Sequence, residues 1–175
     1  MRPASSRGAG RAQGNDGNAV LSIRSACPED AVAACAVMRR SIAELCAADH
    51  SDDPEILARW LSNKTPEHVC AWIARQDATI LVAVRTDAIV AVGMVTDAGE
   101  VLLNYVSPDA RFGGVSRALL KALEDRARER GAILCRLEST ETARRFYHSN
   151  GYIETGAPTR KFGARSGYRM TKSLA

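Results

Sequence analysis

The 175-residue sequence is poor in aromatic residues, has no long apolar run and carries little excess charge. Aromatic side chains make up 5% of it, and no apolar run approaches the roughly 18 to 20 residues that a membrane-spanning helix requires. Met1 is not followed by the short apolar segment of a secretory signal, so we expect a cytoplasmic protein without a membrane partner. A net charge of +4 is too small to favour nucleic-acid binding.

Motifs for metal and nucleotide binding are missing as well. The five cysteines include no C-x-x-C pair and the three histidines are scattered, so we expect neither a disulfide framework nor a metal site. The sequence G-x-x-x-x-G-K-[ST] is absent, as is the G-x-G-x-x-G of dinucleotide-binding folds. What remains is the composition of one ordinary globular domain, 46% hydrophobic and 25% charged.

The first 18 residues differ in composition from the rest of the chain. They hold three arginines, one aspartate and four glycines, with no aromatic residue. Such a segment cannot bury enough apolar surface to offset the entropy lost on ordering. We therefore predict a disordered tail over residues 1–18 and a single domain over residues 19–175.

Apolar periodicity divides that domain into strands and helices. Alternating or β-branched runs predict strands, and apolar positions three and four apart predict helices. The predicted strands cover residues 20–26, 80–84, 89–95, 101–106, 133–137, 152–155 and 168–172, and the predicted helices begin at Pro28, Pro54, Pro66, Val115 and Glu141. We expect a mixed α+β domain with a mostly antiparallel, twisted sheet of about six to seven strands flanked by helices.

The loop before the predicted helix at Val115 has the features of an anion site. It contains Gly113 and Gly114, the first helical turn has no acidic residue, and Arg111 and Arg117 lie on either side. Helix N-termini present unpaired N–H groups, and cations near this positive pole are disfavoured unless an anion binds there. We interpret the segment as a phosphate or pyrophosphate site; the alternative is that the glycine pair only forms a tight turn.

Three segments resemble the GNAT acetyltransferase superfamily. The run from Arg111 to Ser116 is similar to the family's Q/R-x-x-G-x-G/A signature for the pyrophosphate of acetyl-CoA, with Ser116 in place of the usual glycine or alanine. Residues 105–108 are similar to the strand before that loop, and residues 143–152 resemble A-x-x-F-Y-x-x-x-G-F/Y. The resemblance implies a GNAT-like fold and an acetyl-CoA-dependent N-acetyltransferase acting on a small-molecule or peptide amine. The alternative is a non-catalytic module of the same fold that senses or scaffolds an acyl-CoA.

The resemblance also implies roles for individual residues. The backbone N–H of Val106 would polarise the thioester carbonyl, and Tyr147 would protonate the departing thiolate of CoA. A packing role in the core is the alternative for Tyr147, because aromatic residues on one helix face usually pack. The implied cofactor-binding set is Tyr105, Val106, Arg111, Phe112, Gly113, Gly114, Val115, Ser116 and Arg117.

The general base and the acceptor site are less defined. Glu100 and Glu138, at strand ends, are candidate bases, and a chain of waters is an equal alternative. Asn104 and Ser139 are candidate acceptor contacts, although Asn104 could instead satisfy a buried backbone group. Whether the domain forms a homodimer is left open. Two charged segments could select the acceptor. One is the acidic group Glu44, Asp49, Asp52, Asp53 and Glu55, which is alternatively a solvated face. The other is the basic group Arg160, Lys161 and Arg165, which could meet either an acidic acceptor or the ribose phosphate of the cofactor.

Overall fold

Eight strands and six helices follow one another in the part of the chain that the computed structural model describes, residues 20–161 and 165–175. The strands are β1 (Ser22–Ser25), β2 (Ala78–Arg85), β3 (Ala88–Thr96), β4 (Val101–Val106), β5 (Leu134–Ser139), β6 (Ile153–Glu154), β7 (Thr159–Lys161) and β8 (Arg165–Ser173). The helices are α1 (Ala31–Leu45), α2 (Ala47–His50), α3 (Pro54–Leu61), α4 (Pro66–Ile73), α5 (Val115–Glu129) and α6 (Glu141–Ser149). Short 3-10 turns cover Pro28–Asp30 and Pro108–Ala110.

The strands form two antiparallel sheets. The first has the order β1-β2-β3-β4, and in the second β8 pairs with β5, β6 and β7. The β2-β3 hairpin turns through Thr86 and Asp87, both with positive φ, as a two-residue hairpin turn requires. The mixed α+β class and the antiparallel pairing are confirmed, with one more strand than predicted. Strand β7 was missed because its three residues, Thr-Arg-Lys, show no apolar alternation.

The two sheets meet where β4 begins. Arg136 N–H donates to Gly99 O at 2.9 Å, and Glu100 forms a parallel bridge with Arg136. Gly99 has a φ of +81°, and a Cβ there would lie 2.3 Å from Leu134 O, so glycine is required for this close approach. Beyond the bridge β4 and β5 belong to separate sheets and diverge, which leaves the β5-facing edge of β4 open.

Helices cover both faces of the first sheet. Alternate residues of β2 point to opposite sides, so that Leu81 and Ala83 pack in the core with α5, whereas Ile80 and Val82 pack in the core with α1. The predicted apolar face of α5 is confirmed at its buried residues Val115, Leu119, Leu123 and Ala127. At the end of α5, Gly131 has the predicted left-handed conformation, with a φ of +90°.

Two helix predictions need correction near the start of the domain. The helix expected to begin at Pro28 opens as a 3-10 turn, and α1 itself begins at Ala31. There Asp30 receives two hydrogen bonds from the Arg24 guanidinium, at 2.6 Å and 2.9 Å. The short helix α2 was predicted as a break, because four residues are too few to show a period.

Some predictions concern residues outside this description. The predicted disordered tail, residues 1–18, lies outside it, and so do the side chains of Arg160, Lys161 and Arg165. Across residues 20–161 and 165–175, no helix is both long enough and apolar enough to cross a membrane.

Candidate active site

The divergence of β4 and β5 opens a cavity of about 230 Å³, here called the donor cavity. Elements from both sheets and the four helices α1, α3, α5 and α6 contribute to its wall. Among the predicted site residues, those that line it are Asn104, Tyr105, Val106, Arg111, Ser116, Glu138, Ser139 and Tyr147. These eight residues, spread from position 104 to position 147, are therefore brought together around one opening between β4 and β5.

The exposed edge of β4 presents a backbone donor to this cavity. Ser107 N–H donates to Val90 O on β3 at 2.7 Å. Because backbone groups of an antiparallel strand point alternately to one neighbour and then the other, the N–H of Val106 points away from β3. On that side β5 has diverged, and the N–H faces the donor cavity that Val106 lines.

The N-terminus of α5 lies at the rim of the donor cavity and has no side-chain cap. Gly114 occupies the N-cap position with a φ of +73°, and the first turn contains no acidic residue. A Cβ on Gly114 would meet no atom within 4 Å, so the surface at this position is open. The positive φ of Gly114 shows that the loop does form a turn, and this turn leads into the helix end whose first N–H groups have no intrahelical partner.

Arg85, which sequence analysis did not select, places its guanidinium beside the glycine loop. A Cβ on Gly113 would be 3.4 Å and 3.5 Å from the two terminal nitrogens. The Nε of Arg85 is buried and has no hydrogen-bond partner among the described residues. An arginine at the end of β2 carries no local signal of this position, because its approach to Gly113 depends on the packing of the sheet.

Tyr147 points from α6 into the donor cavity. It is 7% exposed, and its ring packs edge-on against Phe146 and Tyr152, with centroids 5.2 Å and 5.6 Å away. Burial raises the pKa of its phenol to about 12, and a hydrogen bond with the Asn104 side chain partly opposes that rise. The residue therefore both packs in the core and presents a protonated hydroxyl to the cavity.

Cys46, at the end of α1, places a thiol on the wall of the same cavity. It is 8% exposed, and burial raises the pKa of the thiol to about 12, with a further contribution from the nearby charge of Asp49. Burial thus favours the neutral thiol of Cys46, as it favours the neutral phenol of Tyr147.

A second cavity of about 310 Å³, here called the acceptor cavity, adjoins the first. Both are lined by Trp60, Tyr105, Glu138 and Ser139. The Nε1 of Trp60 donates to the Tyr105 hydroxyl at 3.3 Å, and burial raises the pKa of this phenol well above its usual range. Aromatic side chains therefore form the wall that the two cavities share.

Several predicted site residues do not line either cavity. Phe112 is 95% exposed, and Val115 is buried in the core beneath the glycine loop, where only its backbone can face an anion. Arg117 lies with Lys121 in a separate surface depression. Glu100 is exposed at the bridge between the sheets, so that of the two candidate bases Glu138 is the one found on the cavity walls.

The acidic group resolves into separate roles. Glu44 pairs with Arg40, and the Asp53 carboxylate caps α3 by accepting from two backbone N–H groups. Asp49 is the member of the group that lines the acceptor cavity. Within the described ranges, no group of three or more His, Cys, Asp or Glu residues is placed to hold a metal ion.

Comparison with protein families identifies the domain. Residues 46–174, most of the chain, match the model of the acetyltransferase (GNAT) domain, and this range includes β4, β5 and α6. The chain belongs to the GNAT acetyltransferase family. A comparison with curated proteins gives no match.

Solved structures share the fold over nearly the whole domain. A GCN5-related N-acetyltransferase from Rhodopseudomonas palustris is 26% identical, with a TM-score of 0.76, and the match covers 90% of this chain and 99% of that one. PaiA N-acetyltransferase from Thermoplasma acidophilum, solved with coenzyme A, has a TM-score of 0.74 at 20% identity, over 88% and 99% of the two chains. The protein yncA from Salmonella typhimurium, solved with acetyl-CoA, has a TM-score of 0.64 at 22% identity, and the match covers 90% of this chain and 95% of that one. At those identities the last two show the fold alone.

Proposed function

We propose that this GNAT domain transfers an acetyl group from acetyl-CoA directly to a primary amine, with both substrates bound together. The observation that carries the proposal is the convergence of Val106 N–H and the Tyr147 hydroxyl on the donor cavity, next to the uncapped N-terminus of α5. A module that only bound an acyl-CoA would have no use for a proton donor at the site of the sulfur.

The residues around the donor cavity fit the chemical groups of acetyl-CoA. The open space before Gly114 and the N–H groups of α5 suit a pyrophosphate, and the Arg85 guanidinium supplies a positive charge beside Gly113. The extended, unpaired edge of β4 suits the amide groups of a pantetheine chain, because it offers backbone donors and acceptors. These features support acetyl-CoA as the donor.

The chain's own groups then act on the thioester. Val106 N–H donates to the thioester carbonyl oxygen and stabilises the negative charge that develops there when the amine attacks. As the carbon–sulfur bond breaks, the Tyr147 hydroxyl donates its proton to the sulfur. The proton that the attacking amine loses passes to Glu138 or along a chain of waters to solvent, and solvent returns a proton to Tyr147. The buried Cys46 and the half-buried Tyr105 on the cavity wall limit the access of water to the thioester and so disfavour hydrolysis.

The test is acetyl-CoA-dependent thiol release with a panel of amines that includes polyamines, amino acids, aminoglycosides and peptide N-termini. We expect release above the rate of hydrolysis with at least one amine, and an acetylated amine identified by mass spectrometry. If acetyl-CoA binds but no amine accelerates thiol release, the catalytic proposal is refuted.

A further inference from the structure

The aspartate of the short helix α2 is buried but only half satisfied. Asp49 is 7% exposed, and its Oδ1 accepts a hydrogen bond of 2.8 Å from Glu141 N–H at the start of α6. Its other oxygen, Oδ2, is buried and has no hydrogen-bond partner among the described residues. Capping α6 accounts for Oδ1 and places the carboxylate at the positive end of that helix, whereas Oδ2 remains a buried acceptor without a donor among the described residues.

The acceptor cavity that Asp49 lines has both polar and apolar walls. Its aromatic and apolar side chains include Trp60, Trp72, Tyr105 and Met94, and the Lys64 ammonium lies 5.7 Å from the centroid of the Trp72 ring. Aromatic ring faces attract cations, and the apolar side chains give a contact surface for a hydrocarbon chain. A cation on a short carbon chain would therefore satisfy both the carboxylate oxygen and the walls.

Other charged groups also line the acceptor cavity. The guanidinium of Arg75 is paired with the Asp77 carboxylate at 2.7 Å, which neutralises its charge. The ammonium of Lys64 donates to the Asn63 side chain at 2.6 Å. The carboxylate of Glu138 accepts from the Thr159 hydroxyl at 2.8 Å. Each of these groups has a hydrogen bond or ion pair with a neighbouring side chain, whereas Oδ2 of Asp49 has no such partner among the described residues.

We infer that Asp49 Oδ2 binds the ammonium group of the acceptor, so that the acceptor cavity selects a primary alkylammonium ion over an uncharged molecule of the same shape. The identity of this ligand as acceptor rests on the proposed acetyltransferase function, whereas the binding of the cation does not require turnover. A hydrogen bond between two charged groups is the strongest that a site of this kind can form, and burial protects it from screening by salt.

Tryptophan fluorescence reports directly on this cavity. The chain contains two tryptophans, and both Trp60 and Trp72 line the acceptor cavity. We would titrate the full chain with n-butylammonium chloride and, as an uncharged probe, with n-butanol. The expected result is binding of the ammonium ion at least about tenfold tighter than the alcohol. Equal affinities would overturn the inference without any variant being made.

Two matched substitutions locate the effect. Asp49→Asn keeps the acceptor for Glu141 N–H and removes the charge, whereas Asp53→Asn makes the same change at the cap of α3, outside both cavities. We expect Asp49→Asn to lose at least about tenfold in affinity for n-butylammonium with no change for n-butanol, and Asp53→Asn to match the wild type. Wild-type ammonium affinity in Asp49→Asn would overturn the inference. Asp49-dependent binding without acetyl transfer to any amine would instead refute the proposed function and support the cation site.

Discussion

Replacement of Tyr147 by phenylalanine tests the proton donor with little disturbance of packing. The ring is buried between Phe146 and Tyr152, and the substitution removes only the hydroxyl that faces the donor cavity. The domain should therefore fold normally and bind acetyl-CoA with unchanged affinity.

The size of the effect follows from the environment that a phenol and a thiol share in this cavity. In water a phenol is a weaker acid than a thiol by about 1.5 pK units, so proton transfer to a thiolate costs about 2 kcal/mol. Here burial raises the pKa of Tyr147 to about 12, and it raises the pKa of Cys46 on the same wall to about 12 as well. If the sulfur of CoA experiences the same burial as Cys46, the transfer is close to thermoneutral. We therefore expect Tyr147→Phe to lower kcat by about 10² to 10³, equivalent to about 3 to 4 kcal/mol.

The assay is steady-state thiol release with the best amine of the panel, with acetyl-CoA affinity measured separately by calorimetry. Tyr152→Phe is the matched control, because Tyr152 is a buried tyrosine that lines neither cavity. Since the pKa of Tyr147 is about 12, its phenol stays protonated throughout pH 6 to 10. The ratio of wild-type to Tyr147→Phe rates should then be constant over that range. A kcat within about twofold of wild type would refute the role, whereas a ratio that falls steeply above pH 9 would refute the raised pKa of the phenol.

The remaining predictions concern binding and stability. Gly114→Ala and Gly131→Ala place a side chain at positive φ at the two ends of α5, each with open space around it, so both should lose about 1 kcal/mol of unfolding free energy. Only Gly114→Ala should also weaken acetyl-CoA binding in calorimetry; equal affinities in both variants would contradict the anion site. Lys172→Met strands the Glu124 carboxylate, which is 7% exposed and accepts from Lys172 at 2.7 Å. Because Lys172 is itself 28% exposed, we expect the free energy of unfolding to fall by about 3 kcal/mol, the lower end of the range for a broken buried ion pair. The double variant with Glu124→Gln should recover that free energy, and urea denaturation measures both. The pKa of Asp30 is held well below its usual range by the hydrogen-bonded guanidinium of Arg24. The pair therefore stabilises the folded state at pH values above the unfolded-state pKa of about 3.9, and this stabilisation is lost as the pH falls through the folded-state pKa. Asp30→Asn should therefore flatten the acid limb of the stability profile, and an unchanged limb would contradict the pairing.

Local pattern was enough to predict the elements that carry the donor side of the site. The apolar runs of β2, β3 and β4 and the spacing of Val115, Leu119 and Leu123 on α5 each follow a short-range rule. The glycine loop before Val115 was also visible, because a helix start without acidic residues is a local feature. These elements depend on neighbours in sequence, and sequence alone reports on such neighbours.

The acceptor side depended on contacts that no local rule supplies. Trp60 and Trp72 lie on two different helices, α3 and α4, and their shared cavity exists only because of how these helices pack beside β4. Asp49 reaches the N-terminus of α6 across 92 positions of sequence. Its acidic neighbours in the sequence have exposed or capping roles, so composition could not distinguish the one buried carboxylate from the others.

The open edge of β4 explains how two substrates could meet at one strand. Asn104 and Val106 line only the donor cavity, whereas Leu103 and Tyr105 line the acceptor cavity as well. Leu102 also lines both cavities, so β4 forms a wall that the two cavities share. A strand paired on both sides would have no N–H left to offer to either cavity. Because β4 parts from β5 after the bridge at Glu100, its backbone lies where the acetyl group and the amine would meet.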